Sequence, residues 1–291
     1  MGIREVRQVG SRGSLITFED DISVYLIQTE REWFLCDTHL GPLSMEAVKA
    51  YMSRHSTAQQ AIILFNSHSD WDHIWGNCAF EDAWIIGHEL CRKRMQQIGP
   101  FELGTLTEYH QGTIRLVLPN LTFSERMCFE EAELEFIHTP GHTVDSAVCF
   151  DKKDQVLFVG DLVEEPIPYL DFSDLEVYIK TLEFIKSFPA KVKISAHSGI
   201  VDHELIQRNI NYIQDMLQGC LVDPSRYQAT PEVHRFNVNN RLFLKYEQLV
   251  QTKLKGDFDY AVLKEKAGDL KTADYHVLHQ NLECYYQSLT G

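Results

Sequence analysis

Short apolar runs separated by polar turns recur along most of the chain. Runs at 22–28, 33–36, 61–65, 84–87, 133–138, 147–150, 156–159 and 192–196 are rich in β-branched and aromatic residues and predict strands. Other stretches carry their apolar residues at helical spacing. Residues 43–55 place them at 45, 48, 51 and 52, and residues 174–188 at 175, 178, 179, 182, 185 and 188. Ser173 is the expected N-cap of the second helix and Pro189 its stop, and Asp202 is the expected cap of a helix over 204–217. Residues 89–119 are helical in character around 91–97 and then lose their period, which suggests an insertion bordering a site. From about 219 the character changes. Residues 234–244 read as a hairpin turning at Asn239-Asn240, with part of a helix as the alternative, and the last thirty or so residues predict helix. The chain is expected to divide into a domain at 1–218 and a mainly helical extension at 219–291 that caps the core or serves a homodimer.

Polar residues of one chemical kind sit where the strands end. The run at 61–65 leads into His68, Asp70, Asp72 and His73, the densest set of potential metal ligands in the chain. Alternation along an extended segment puts His68, Asp70 and Asp72 on one side, and the following turn brings His73 round. The strand at 133–138 leads to His142, the one at 156–159 to Asp161, and the one at 192–196 to His197. If these strands share one layered core, their ends share one edge, and seven ligand-type side chains can converge there.

Composition narrows the setting. At 44% hydrophobic and 24% charged residues the chain can bury a sizeable core. Its formal net charge of -15 repels phosphate backbones, so no nucleic-acid partner is expected. Seven dispersed cysteines without a Cys-x-x-Cys pair read as reduced, buried thiols. No apolar stretch has signal-peptide or membrane-spanning character, so a soluble cytoplasmic protein with a small-molecule substrate and no membrane partner is expected.

The order His-x-Asp-x-Asp-His at 68–73, Pro-Gly-His at 140–142, Gly-Asp at 160–161, and then His197 resembles the metallo-β-lactamase-fold superfamily over roughly residues 15–215. The resemblance implies an α+β fold, an αββα sandwich of two mixed β-sheets flanked by helices, with a dinuclear metal site at one edge. Carried onto this chain, it implies that His68, Asp70 and His142 hold a first metal. Asp72, His73 and His197 would hold a second, with Asp161 bridging both. Asp37, in Asp37-Thr38-His39, resembles the Asp-Thr-Gly turn of the family and is expected to orient ligands from behind. One position departs from the pattern. The usual first motif is His-x-His-x-Asp-His, and here Asp70 replaces the second His. Two divalent ions are expected, zinc first. The harder carboxylate brings in iron or manganese and raises the pKa of bound water somewhat. Flavodiiron oxidoreductases (Glu) and DNA-uptake channel proteins with a nuclease-like domain (Asp) also carry a carboxylate at this place.

The reading that follows is a metal-dependent hydrolase acting through a bridging hydroxide on a small ester, thioester or lactone. The alternatives are a phosphodiesterase or nuclease-like hydrolase, and a non-hydrolytic diiron redox or metal-binding protein. Asp72 is the first candidate to carry the proton to the leaving group. Tyr169 is a second, set against a role as a packed aromatic. Trp71 and Trp75 either wall the site or fill the core, and Glu164-Glu165 reads as a solvated loop rather than a contact for a cationic substrate group.

Overall fold

A computed structural model describes residues 2–56, 59–219, 222–255 and 258–289. The first sheet contains β1 (Ile3–Val9), β2 (Gly13–Phe18), β3 (Ser23–Gln28), β4 (Glu32–Cys36), β5 (Ala61–Asn66), β6 (Trp84–His88) and β7 (Leu121–Phe123), hydrogen-bonded in that order. Its first four strands are antiparallel, and β4 to β7 run parallel. The second sheet contains β8 (Arg126–Phe129), β9 (Leu134–His138), β10 (Ala147–Asp151), β11 (Val156–Phe158), β12 (Val192–Ser195) and β13 (Gly199–Val201). Because β9 and β11 both oppose β10, and β12 is parallel to β11, the strands β9, β11 and β12 all point the same way.

Alternation along each strand builds the layers. Phe34, Cys36, Ile63 and Phe65 face Phe136, Cys149, Phe158 and Ile194 across the space between the sheets. Their neighbours Trp33, Leu35 and Leu64 turn outward onto Met45, Val48 and Met52 of α1 (Pro42–His55). The outer face of the second sheet, with Val148 and Leu157, is covered by α4 (Leu175–Ser187) and α5 (His203–Leu217). Central strands covered on both faces read as continuous apolar runs, which is why they were visible in the sequence. The result is the expected αββα sandwich. On the first sheet's side lie α2, a single turn at Trp71–Ile74, and α3 (Glu89–Thr105).

The structure corrects several expectations. Residues 234–244 take the helical alternative and form no hairpin; they lie inside α6 (Pro231–Leu254), which is started by Pro231 and capped by the Thr230 hydroxyl accepting from the Val233 amide. The Asn-Asn turn signal fails because the asparagine side chains are buried and spend their amides on distant carbonyls. Asn239 donates to Leu270 and Ala273, and Asn240 donates to Leu170. Helix α4 is capped by Asp174, which accepts from Val177 at 3.0 Å, and not by Ser173. Asp202 does cap α5, accepting from Leu205 at 2.8 Å. The extended alternation expected over 68–72 stops early, since β5 ends at Asn66 and Asp72 and His73 sit on α2. The extension adds α7 (Tyr260–Ala267) and α8 (Tyr275–Ser288), which close a satellite core with α6 through Leu242, Phe243, Leu263 and Leu282. Cys36, Cys91 and Cys149 are buried free thiols as expected, but Cys78 is half-buried and the free thiols Cys128 and Cys284 are exposed; Cys220 lies outside the described residues.

One backbone position ties the fold to the site. Gly160, just past β11, has φ +53°, and a Cβ built there would lie 2.6 Å from the Ser67 hydroxyl. A left-handed conformation costs an L-residue about 1–2 kcal/mol before any clash. Gly160→Ala is therefore expected to lower stability by about 2 kcal/mol or more in chemical denaturation; a midpoint equal to wild type would show that Ser67 yields at no cost.

Candidate metal centre

The parallel run of β4 and β5, and the common direction of β9, β11 and β12, bring five strand ends to one edge of the sandwich. The two sheets are stitched together there by the Ala147 amide donating to the Ser67 carbonyl at 2.8 Å and the Ser23 amide donating to the Ala196 carbonyl at 2.8 Å. The loop after β5 is clamped from behind. The Thr38 amide and hydroxyl both donate to the His73 carbonyl, and Asn66 and Asn77 exchange side-chain amide bonds at 2.8 and 3.1 Å.

All seven residues singled out in the sequence meet at this edge. Ligand-type atoms of His68, Asp70 and His142 lie within 4.8 Å of one another, and so do those of Asp72, His73 and His197, and those of His68, His73 and Asp161. Asp161 Oδ2 is 3.1 Å from His73 Nε2, 3.2 Å from His197 Nε2 and 3.8 Å from His68 Nε2. Asp70 Oδ2 is 3.3 Å from His142 Nε2, and Asp72 Oδ2 is 3.2 Å from His197 Nε2.

Three rings are oriented by what their other nitrogen does. The Ser67 hydroxyl donates to Asp37 at 2.8 Å, so the 2.9 Å contact between Ser67 Oγ and His68 Nδ1 has the ring donating. His73 Nδ1 donates to Asp37 Oδ2 at 2.9 Å, and His142 Nδ1 donates to the Tyr169 carbonyl at 3.0 Å. Each ring therefore turns Nε2 toward the common centre. Asp37 holds this arrangement from a left-handed turn, with φ +63°, and also accepts from the Ser67 amide at 2.7 Å. His39, where the resembling turn has glycine, also takes a positive φ of 55° and is stacked on Phe18.

The rings and carboxylates of the cluster shift one another's titration. Burial pulls the His73 imidazolium down, but Asp161, Asp72 and Asp37 outweigh it and hold the ring well above its ordinary range. Burial likewise opposes the charge of Asp161, and His197 and His73 overcome it, leaving the carboxyl well below the usual range. Asp70 is held low in the same way by His68 and His142.

Other residues near the centre were missed or misjudged in the sequence. Glu164 is not in a solvated loop: it is buried, accepts from the Tyr169 amide at 3.1 Å, and lies 3.8 Å from His142 Nδ1. Burial, and then Asp161, push its carboxyl up to about 7. Glu165 is exposed and pairs with Arg208. Tyr169 packs its ring edge-on against Phe236 while its carbonyl serves His142, so the packed aromatic is the reading the structure favours. Trp75 is core, whereas Trp71 is partly exposed and lies against Tyr109. Within 89–119, Arg94 of α3 reaches across to Asp171 at 3.1 Å and Asp145 at 3.5 Å, the residues flanking the His142 loop. Burial and the neighbouring Asp70 push the Glu102 carboxyl well up. Among the described residues no helix is long and apolar enough to cross a membrane.

Comparison with known proteins bears on the fold and the family. The chain is 24% identical over 262 residues to the beta-lactamase-like protein 2 homolog of Drosophila melanogaster, covering 81% of this chain and 86% of that one. It is 28% identical over 191 residues to an Aspergillus versicolor protein, avaE, whose provisional name calls it a transcription factor. That match covers 56% of this chain and only 54% of the relative, so the chain spans about half of that protein's length. Among solved structures, a metallo-beta-lactamase from Pontibacter korlensis superposes with TM-score 0.57 at 18% identity, covering 72% of this chain and 99% of that one. One from Hirschia baltica gives 0.56 at 15%, covering 72% and 96%. These likenesses share the fold. The sequence profile of the metallo-beta-lactamase superfamily, a metal-dependent group, matches residues 17–197, a span that takes in every residue of the cluster, and the chain belongs to that superfamily.

Proposed function

We propose that the chain is a metal-dependent hydrolase. In this reading His68, Asp70 and His142 hold one divalent cation, Asp72, His73 and His197 hold a second, and Asp161 bridges them. The observation that carries it is the set of lone pairs left over. His68 Nε2 and Asp161 Oδ1 are buried without a hydrogen-bond partner, and three rings have already committed Nδ1 elsewhere. Buried polar atoms are normally paired, so orphans facing one centre suit a cation. Zinc is the first choice for an imidazole-rich set, and the Asp70 carboxylate brings in iron or manganese. Held there, a pair of cations supplies an acidified water and a polarised electrophile.

The chain's own residues do the rest. Asp37 and Ser67 fix the His73 and His68 rings, and the Tyr169 carbonyl fixes His142. Asp72, facing His197 on the open side, is the candidate to carry a proton to the leaving group. The edge is open to a substrate: the side chains of Asp70 and His197 are 24% and 28% exposed. The net charge of -15 favours a small ester, thioester or lactone over a long polyanion. Asp70 supports a second reading, a small phosphodiester.

Stripped protein reloaded with Zn, Fe or Mn should turn over members of a thioester, lactone and phosphodiester panel, with His73→Ala as the control. Equal turnover by wild type and variant sinks the hydrolase reading, and turnover confined to phosphodiesters favours the second one. Asp70→His is expected to move the preference toward zinc by roughly tenfold, measured as bound metal after competition. Unchanged metal content would count against Asp70 as a ligand.

A further inference from the structure

His142 lies four residues past the end of β9 and, unlike His73 on α2, is held by a segment with little regular structure of its own. Its ring donates to the Tyr169 carbonyl at 3.0 Å, and its own carbonyl accepts from the Asp171 amide at 3.0 Å. Both bonds run to the stretch 168–171. That stretch is fixed by α6. The Asn237 carboxamide brackets Tyr169, accepting from the Leu170 amide at 3.0 Å and donating to the Pro168 carbonyl at 2.9 Å. Asn240 donates to the Leu170 carbonyl at 2.9 Å and to Asp171 Oδ1 at 3.0 Å. Both asparagines are buried, and α6 lies beyond the residues that define the superfamily match.

We propose that Asn237, supported by Asn240, is a positioning residue for His142, so that the C-terminal extension forms part of the metal centre and is not only a cap. The inference rests on the two-ion reading above. A carboxamide suits this place because it both donates and accepts on either side of one residue, Tyr169; a carboxylate only accepts, and an aliphatic side chain does neither. Fixing Tyr169 fixes the direction of the carbonyl that sets the tautomer and tilt of the His142 ring, and outer partners of this kind typically tune metal affinity.

The helix supplies its own control. Asn239 is as buried as its neighbours, but its two hydrogen bonds go to Leu270 and Ala273 inside the extension. Zinc is titrated into the stripped full chain against a chromophoric chelator, for wild type, Asn237→Ala, Asn240→Ala and Asn239→Ala. The expected result is that Asn237→Ala weakens one of the two bound ions by roughly 10- to 100-fold and leaves the other nearly unchanged. Asn240→Ala should weaken the same ion to a smaller extent, and stands in if Asn237→Ala does not fold. Asn239→Ala should lower the melting temperature without separating the two affinities. Unchanged affinities in Asn237→Ala and Asn240→Ala, equal weakening of both ions, or the same asymmetric loss in Asn239→Ala would each overturn the inference. A wild type that binds no zinc overturns the two-ion reading itself, and the ligand role of His142 with it. If wild type binds a single ion, its loss in Asn237→Ala supports the inference and its retention overturns it.

Discussion

Asp161→Asn is expected to lower turnover by on the order of a thousandfold, the several kcal/mol that a properly held cation contributes to the reacting centre. Asp161 is the one carboxylate within reach of rings from both halves of the cluster, at 3.1 Å from His73, 3.2 Å from His197 and 3.8 Å from His68. A carboxamide of the same shape keeps the packing but loses the charge and one of the two acceptor oxygens. Bound metal should fall with turnover, while the circular dichroism spectrum of the stripped protein stays that of wild type. Retention of more than roughly a tenth of the activity would show that the two halves do not act through a shared ligand.

The largest effect on stability is expected at Asp37. Asp37→Ala leaves the Ser67 amide, the Ser67 hydroxyl and His73 Nδ1 without their acceptor, in a place that is 1% exposed. Removing one member of a buried charged network typically costs about 3–5 kcal/mol. Alanine also tolerates the left-handed turn at position 37 less well than aspartate. A fall in melting temperature of roughly 10 °C is therefore expected by calorimetry. Asp37→Asn, which keeps an acceptor oxygen, should lose about half as much. Equal losses for the two variants would mean that the charge, rather than the acceptor, carries the stability.

What the sequence made legible follows from how few alternatives a residue had. His68, Asp70, His142, Asp161 and His197 stand just past apolar runs that read as strands, whereas β2 is buried along its whole length and was not foreseen. Strand β1, IREVRQV, is exposed over most of its length at the sheet edge and carries no apolar run, and β8, RMCF, is only partly covered and has just three apolar residues in a row, so neither was foreseen. Glu164 was misjudged because two adjacent glutamates look solvated, yet only the second reaches water, where it pairs with Arg208. Asn239-Asn240 looked like a turn because asparagine favours turns locally. The bonds that place it in a helix reach carbonyls about 30 to 70 residues away, at Leu270, Ala273 and Leu170. Local pattern cannot weigh a partner that only the finished fold supplies.

In the proposed reading, seven side chains that follow four strand ends hold two cations that the reaction needs. The most direct test of that reading is bound metal per chain measured against turnover as stripped wild-type protein is reloaded. The account predicts two ions at saturation and no hydrolysis of any panel substrate in the stripped protein, with activity returning as the ions bind. Full turnover by protein that demonstrably holds no metal would contradict it.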